Sequence, residues 1–592
     1  MSLTKMILAG VMACTTLIIP PAAAALAPPS SQSKMLSELD AIAHTFRVKY
    51  APLEWAKEHA NWDLDTEIGK AKTAVAANSK ISIKEFQKTL RRFFHSTHDY
   101  HVNVYFFSTE AAFLPFRVKK AEGRYFLVWI DGSEAPTDWS IGDEVLEFDG
   151  KPIQQAITEL KARELGNPSS LTDQALAEIY LTARVGAVGH VVPKGKINVV
   201  VKHQDNSIST DTLSWVYLPE EISSGPYRAA ALSSIGRQEA NHSSLINSAL
   251  PRRMEALFHP IIKKSFTRCY RDAVKADAAE ALGDKEGFLP TLGKITWRAP
   301  AKDYFYAYIF KTSSGKSVGY IRIHQYAGDA AEVKQFSQYI KMFQTKTDAL
   351  VIDQTNNPGG DAFFMYALVS HLSSKPLTVP SHRVAINQED VYTALQVLEI
   401  GSMEGALAQA MGEPMSEESI GKNREQEDSS LSGYPITQEL VTGITDYMQF
   451  IISEWNKGNT LTDSIPLYGV NPLVVAPSVY TKPILVLVNE LAISCGDFFP
   501  AILQDNQRAT VMGTTTAGAG GFVVNSSFQN YFGMMGYSYT GSIAERSNHQ
   551  PIESLGITPD IWYDVTANDL QNEYADYAAA ILKVLDSMIK KN

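Results

Sequence analysis

Three stretches of this 592-residue chain carry side chains of the kind that move protons and attack carbonyl carbons. In His98-Asp-Tyr-His-Val-Asn-Val104, His101 falls at a helix-to-strand junction, where a general base can be held. Val351-Ile-Asp-Gln-Thr-Asn-Asn-Pro-Gly-Gly360 reads as strand, turn, helix. Its paired glycines let a backbone approach a ligand closely, and their N–H groups can form half of an oxyanion hole. In Val488-Asn-Glu-Leu-Ala-Ile-Ser-Cys-Gly-Asp-Phe-Phe-Pro-Ala-Ile-Leu503 a strand ends, a short loop turns, and Ser494 sits where a helix starts. A helix N-terminus presents free N–H groups and a positive dipole end, which suit a nucleophile and the oxyanion it generates. Taken singly, each stretch has a plain alternative: a core or surface histidine, a glycine turn, an N-cap serine.

Other chemistries fit poorly. Gly315-Lys-Ser ends like a phosphate loop, but Phe310 stands where the earlier glycine is required. Gly518 to Gly521 lacks dinucleotide spacing, because Val523 stands where the last glycine should be. His95, His98 and His101 are three apart, yet there is no H-E-x-x-H, so no metal is expected. Cys495 reads as a small buried residue whose backbone N–H matters rather than as a thiol nucleophile. With Cys14 in a leader, Cys269 and Cys495 allow at most one disulfide and no four-thiolate site.

The elements that must position these residues follow from pattern. Hydrophobic residues make up 45% and charged residues 20%, which excludes a disordered chain. A net charge of −11 without a basic tract argues against nucleic acid and against a polybasic membrane anchor. Residues 1–27 read as a secretory signal: Lys5, an apolar run from Met6 to Ile19, Pro20 and Pro21, then small residues at Ala22 to Ala25. That run is short of the about 20 residues needed to span a bilayer, so the mature protein is expected to be exported, periplasmic or secreted, with no integral membrane segment. Residues 28–110 form an N-terminal helical region, with Leu36, Leu39, Ile42, Ala43 and Phe46 recurring at helical spacing. Residues 111–218 are β-rich with two helices. Their stretch G-D-E-V-L-E-F-D-G-K-P-I (142–153) resembles the strand–turn–helix of a PDZ domain. Residues 219–290 read as a polar and basic connector. Glu413 to Tyr434 reads as a charged, solvated loop. Residues 291–592 alternate apolar strands with helices, the mark of a covered, largely parallel sheet.

Taken together, the three stretches resemble the C-terminal processing peptidases and the tricorn core peptidase, in the order D-x-H, then N-x-G-G, then strand–Ser–helix, with a PDZ-like domain inserted after the first. K-Y-A-P at 49–52, T-A-G-A-G-G-F-V at 516–523 and I-E-S-L-G-I-T-P at 552–559 extend the likeness from about residue 40 to the C-terminus. The resemblance implies a crotonase-like (ClpP-like) α/β core and a cofactor-free serine endopeptidase acting on protein or peptide substrates. Its nucleophile would be Ser494, its base Ser494's partner His101, and the orienting carboxylate Glu553. The oxyanion hole would be the N–H groups of Gly360 and Cys495. It also implies a homodimeric zymogen that excises part of 219–290. Bacterial processing peptidases typically use a lysine base in K-T-F-G-K-G. Here Ala519 occupies that lysine's position, so the base falls to histidine. Glu545 and His549 are nearby alternatives for the carboxylate and the base. A binding protein that keeps the fold without turnover is the rival reading.

Overall fold

The computed structural model describes residues 30–167, 169–220, 285–410, 430–527 and 530–591. The expected leader with Cys14, Cys269, most of the 219–290 segment and most of 413–434 lie outside the described residues. No helix among the described residues is long and apolar enough to cross a membrane.

Four helices open the chain: Ser31–Lys49, Leu53–Ala60, Leu64–Ala76 and Ile83–His95. The last starts on a capping box in which Ser82 and Glu85 satisfy each other's backbone N–H groups. Its apolar face, Phe86, Leu90, Phe93 and Phe94, packs with Phe46 and Trp62 into an aromatic core. The chain then enters the strand Asn103–Phe106, whose antiparallel partner is the distant strand Met534–Thr540. The segment bearing His101 is therefore clamped by residues more than 400 positions downstream.

The inserted domain holds an antiparallel sheet of Phe116–Ala121, Arg124–Ile130, Glu144–Phe148, Lys196–Lys202 and Ile208–Ser214, with helices Ile153–Glu164 and Leu171–Thr182. Asp149 (φ 51°) and Gly150 (φ 74°) are both left-handed, which makes the tight turn expected between Phe148 and Lys151.

The C-terminal part is built on a seven-stranded sheet: Lys294–Arg298, Tyr306–Lys311, Ser317–Arg322, Ala349–Asp353, Ile484–Val488, Thr510–Gly513 and Ile561–Trp562, in that spatial order. The first three strands are antiparallel. From Ser317–Arg322 onward every pairing is parallel. Ile484–Val488 is buried along its length because both faces are covered. Ile484, Val486 and Val488 face a core with Phe336, Phe364 and Phe499. Leu485 and Leu487 face Tyr577, Ile581 and Leu585 of the final helix, Ala575–Lys591. Two helices not foreseen from the pattern, Gln388–Ala410 and Gln438–Asn456, cover the first of these cores with Ala394, Ile444, Tyr447 and Ile451. The solvated-loop reading of Glu413 to Tyr434 fails at its end. Ser430–Leu431 and Tyr434–Pro435 form a small hairpin, and Leu431 and Tyr434 are buried in the main core, Tyr434 against Phe363 and Tyr366, because their apolar surface is worth removing from water.

Candidate active site

Ser494 is the hinge of the strand-to-helix turn between Ile484–Val488 and Cys495–Asp505. Its backbone stands at φ 60°, ψ −120°, a region costly for any residue with a Cβ, and its side chain caps nothing. The N-cap alternative thus fails, and the hydroxyl is left free for other work. Around the turn, the buried amides and carboxylates are committed to framework bonds. Gln354 donates to Gly496 O (2.8 Å) and accepts from the Tyr326 hydroxyl (2.7 Å). Asn357 O accepts from Ile493 N (2.9 Å), and its side chain accepts from Gly359 N (2.8 Å).

These bonds press the glycine pair onto the serine turn. A Cβ added at Gly359 would lie 2.7 Å from Ser494 Cβ and 3.1 Å from Cys495 N. One at Gly360 would lie 2.1 Å from Tyr326 O. Positive φ values of 90° and 145° make glycine necessary at both positions. Cys495 Sγ donates to Gly360 O at 3.3 Å, so Gly360 and Cys495 are brought together. Cys495 N–H, the first of its helix, has no intrahelical acceptor. The Cys495 thiol is buried, and desolvation pushes its pKa up, so it stays protonated and is no nucleophile.

Asp497, one turn into the helix, reaches the loop after the next strand. Its carboxylate accepts from Thr516 Oγ1 (2.5 Å), Gly518 N (2.8 Å) and Ala519 N (3.1 Å). Burial raises it to about 6 against these bonds. The next amide, Gly520 N, donates to Glu553 Oε2 at 3.0 Å. Glu553 is 1% exposed, and burial followed by repulsion from Asp99 and Asp497 raises its pKa well above the carboxyl range. Asp99 is raised for the same first reason, burial. Asp99 is the link to the histidine. It accepts from His101 N (2.8 Å), from Thr540 Oγ1 (2.6 Å) and from the Tyr50 hydroxyl, while Ser538 Oγ donates to His101 O (2.6 Å).

His101 itself is 3% exposed, and neither ring nitrogen makes a hydrogen bond. Desolvation lowers its pKa to about 3. The backbone of His101 is thus fixed beside the carboxyl pair, but its ring bonds neither Ser494 nor Glu553 in this arrangement. The alternatives lie elsewhere: Glu545 is paired with Arg383 (2.7 Å), and His549 is exposed in the turn between Arg546 and Gln550. Among the described residues no group of three His, Cys, Asp or Glu is placed to hold a metal. Asp99, Gln354, Asn357 and Asp497 were missed as framework residues in the sequence reading. All stand inside the motifs that flagged the site, and only their burial among backbone amides reveals the role.

A strained serine turn backed by a glycine pair, on a parallel sheet with a PDZ domain inserted upstream, defines a class. The chain matches peptidase family S41 over residues 317–563 and a PDZ domain over 110–222. A protein of Chlamydia muridarum is 33% identical over 585 residues, spanning 94% of this chain and 93% of its own. One of Chlamydia trachomatis is 31% identical over 578 residues, with the same coverage. This chain belongs to peptidase family S41 and is a serine peptidase. Among solved structures it is similar to mature CPAF, chlamydial protease-like activity factor, with a TM-score of 0.78, 30% identity, and coverage of 95% of this chain and 98% of that one.

The buried carboxyls make stability depend on pH in a definite direction. Glu553 and Asp99 keep protons in the folded protein that they lose, when unfolded, near an ordinary pKa of about 4. Their contribution is therefore fully present below that value and is lost as pH rises through the raised folded values. Glu553→Gln removes one such group, so its unfolding midpoint should fall less steeply than wild type between about pH 5 and pH 8. Thermal unfolding of both proteins across that window checks this. Parallel curves would contradict a raised Glu553.

Proposed function

We propose that this protein is an endopeptidase in which Ser494 attacks the scissile carbonyl, His101 takes its proton, and Glu553 orients the imidazole, with an acyl-enzyme hydrolysed in a second step. The observation that carries the reading is the strained Ser494 turn at the mouth of a helix, with Gly359 and Gly360 packed against it. A serine hydroxyl is inert until a base removes its proton. The tetrahedral oxyanion would sit at the amides of Gly360 and Cys495, where the helix dipole favours negative charge.

The reading requires His101 to turn. A buried imidazole with two unpaired nitrogens is costly, and pairing it with Glu553 and Ser494 recovers both bonds. That pairing also lets Glu553 ionise, since the repulsion from Asp99 is then opposed by a developing imidazolium. The unpaired ring favours one second reading: a resting form, or a binding protein that keeps the fold without turnover. By resemblance to the family's histidine-using branch, the chain is proposed to be exported through residues 1–27, to work as a homodimer, and to mature by cutting within 219–290. The division into 28–110, 111–218 and a crotonase-like core at 291–592 belongs to the same proposal.

Ser494→Ala should lower kcat by roughly 10³-fold or more while leaving the unfolding midpoint near wild type. Cys495→Ser should retain much of the activity. A folded Ser494→Ala protein that still cleaves a denatured protein mixture at the wild-type rate excludes the assignment, and a wild-type protein with no turnover at all favours the binding reading.

The pH profile separates histidine from lysine bases. A histidine base must be neutral in the free enzyme. With the ring turned onto Glu553 the carboxylate restores it to the ordinary imidazole range, so kcat/KM should rise through one ionisation between about 6 and 7.5. A ring held as in this structure, lowered to about 3, would give no rise in that window. His101→Ala should abolish that profile, and retained activity with the same profile would point to another base. Purified wild type should also cut itself within about 225–285, with Ser494→Ala remaining whole; a fully active, uncut chain argues against maturation by excision.

A further inference from the structure

Remote from Ser494, a cavity of about 270 Å³ lies between the N-terminal helices and the PDZ domain. Its walls include Arg91, Arg92, His95, His98, Arg163 and Glu164. The charges behind these walls do not balance. Glu164 Oε1 accepts from Arg163 Nε (2.9 Å) and Arg184 Nη1 (3.2 Å), and Oε2 lies 3.4 Å from Arg91 Nε. Three guanidiniums thus share one carboxylate, which leaves two positive charges over. The other acid on the wall, Glu67, is taken by Lys70 at 2.6 Å.

Two of these guanidiniums are more than nine-tenths buried, those of Arg91 and Arg184. The Nε of each makes no hydrogen bond, and neither does the buried Nε2 of His190 beside them. A buried charge is expensive unless it is paired, and a buried donor unless it is bonded. The cluster carries that cost. Burial, assisted by Arg163 and Arg91, pulls the Arg184 guanidinium down to about 10 despite Glu164. Burial and then Arg91 hold His95 well below the usual imidazole range. In a chain of net charge −11 this is a local inversion of sign.

The same wall is joined directly to the proposed base. His98 has a left-handed backbone (φ 59°), its N–H donates to His95 O (3.2 Å), and its ring lies against Gly166 of the PDZ domain. The next residue, Asp99, takes the N–H of His101.

We propose that this cavity binds a small dianionic oxyanion of phosphate or sulfate chemistry, and that its occupancy steers the His98–His101 segment. A dianion neutralises the surplus of two charges and offers acceptors to the Arg91 guanidinium on the wall, with Arg92 and Arg163 closing on it from the exposed side. Filling the cavity ties the PDZ domain to the helix that ends at His95, so the segment beginning at His98 is held from both ends. The binding half of this proposal does not depend on the Ser494 assignment; the steering half rests on His101 being the base.

Calorimetry of the full chain at constant ionic strength tests it, with inorganic phosphate, sulfate and glycerol 3-phosphate as probes and chloride as the control. One saturable site per chain is expected, and Arg92→Gln combined with Arg163→Gln should weaken it about tenfold or more, since two charge-assisted contacts are lost. Stronger binding of glycerol 3-phosphate than of inorganic phosphate would assign the site to phosphate monoesters, and the reverse to the free ion. Both side chains reach the surface, so the double variant should fold. Absence of saturable binding, or equal binding by the double variant, overturns the site. With the site saturated, kcat/KM should change at least about twofold in wild type and not in the double variant. An unchanged kcat/KM overturns the steering role.

Discussion

The site depends on carboxyl groups taken out of water. Asp99, Asp497 and Glu553 are all buried, and among the described residues no cation lies beside them to offset the cost. What holds them is backbone: the amides of Gly518, Ala519, Gly520 and His101, with hydroxyls from Thr516, Thr540 and Tyr50. Each carboxyl therefore fixes a loop, and the loops come from four distant parts of the chain. Asp497 ties the helix that follows Ser494 to the 516–520 loop, Glu553 ties its own segment to that loop, and Asp99 ties the His101 segment to the strand Met534–Thr540. Removing any one of them would leave at least one buried amide unpaired and loosen a loop, so the motifs form one unit.

The same arrangement separates placement from readiness. Backbone bonds place Ser494, the glycine pair and the His101 main chain, while the His101 ring is left unbonded. The expensive part, a strained turn and three buried carboxyls, is built by folding, and in the proposed mechanism only a rotation of the His101 ring remains.

The PDZ domain lies on the approach to that step. Its helices Ile153–Glu164 and Leu171–Thr182 contact both sides of the site. Thr172 Oγ1 donates to Glu490 O (2.8 Å) just before the nucleophile turn, and Lys119 pairs with Glu490 at 3.1 Å. On the other side, Arg91 donates to Glu164 O (2.9 Å) on the helix that leads to His101. Inserted in sequence between the His101 and Ser494 stretches, the domain touches the elements that carry both.

Much of this was legible from the chain alone. Alternating apolar strands and helices announced a covered parallel sheet, because a strand buried on both faces has no polar side to show. The D-x-H, N-P-G-G and S-C-G-D stretches marked the candidate site only taken together, since each singly has a plain alternative. Ala519 in place of a lysine is what assigns the base to histidine in the proposed mechanism. Other features could not be read this way. The helices Gln388–Ala410 and Gln438–Asn456 were missed, and so was the burial of Leu431 and Tyr434, since whether an apolar residue is covered depends on elements hundreds of residues away. Asp99 and Asp497 look in sequence like ordinary polar neighbours of a motif. Only the fold removes them from water and leaves backbone amides as their partners. Local pattern determines which elements form and which residues have chemistry to offer. The protonation of the carboxyls, the unbonded ring of His101 and the surplus charge around Glu164 are decided by tertiary packing, because desolvation and charge balance are sums over everything that surrounds a group.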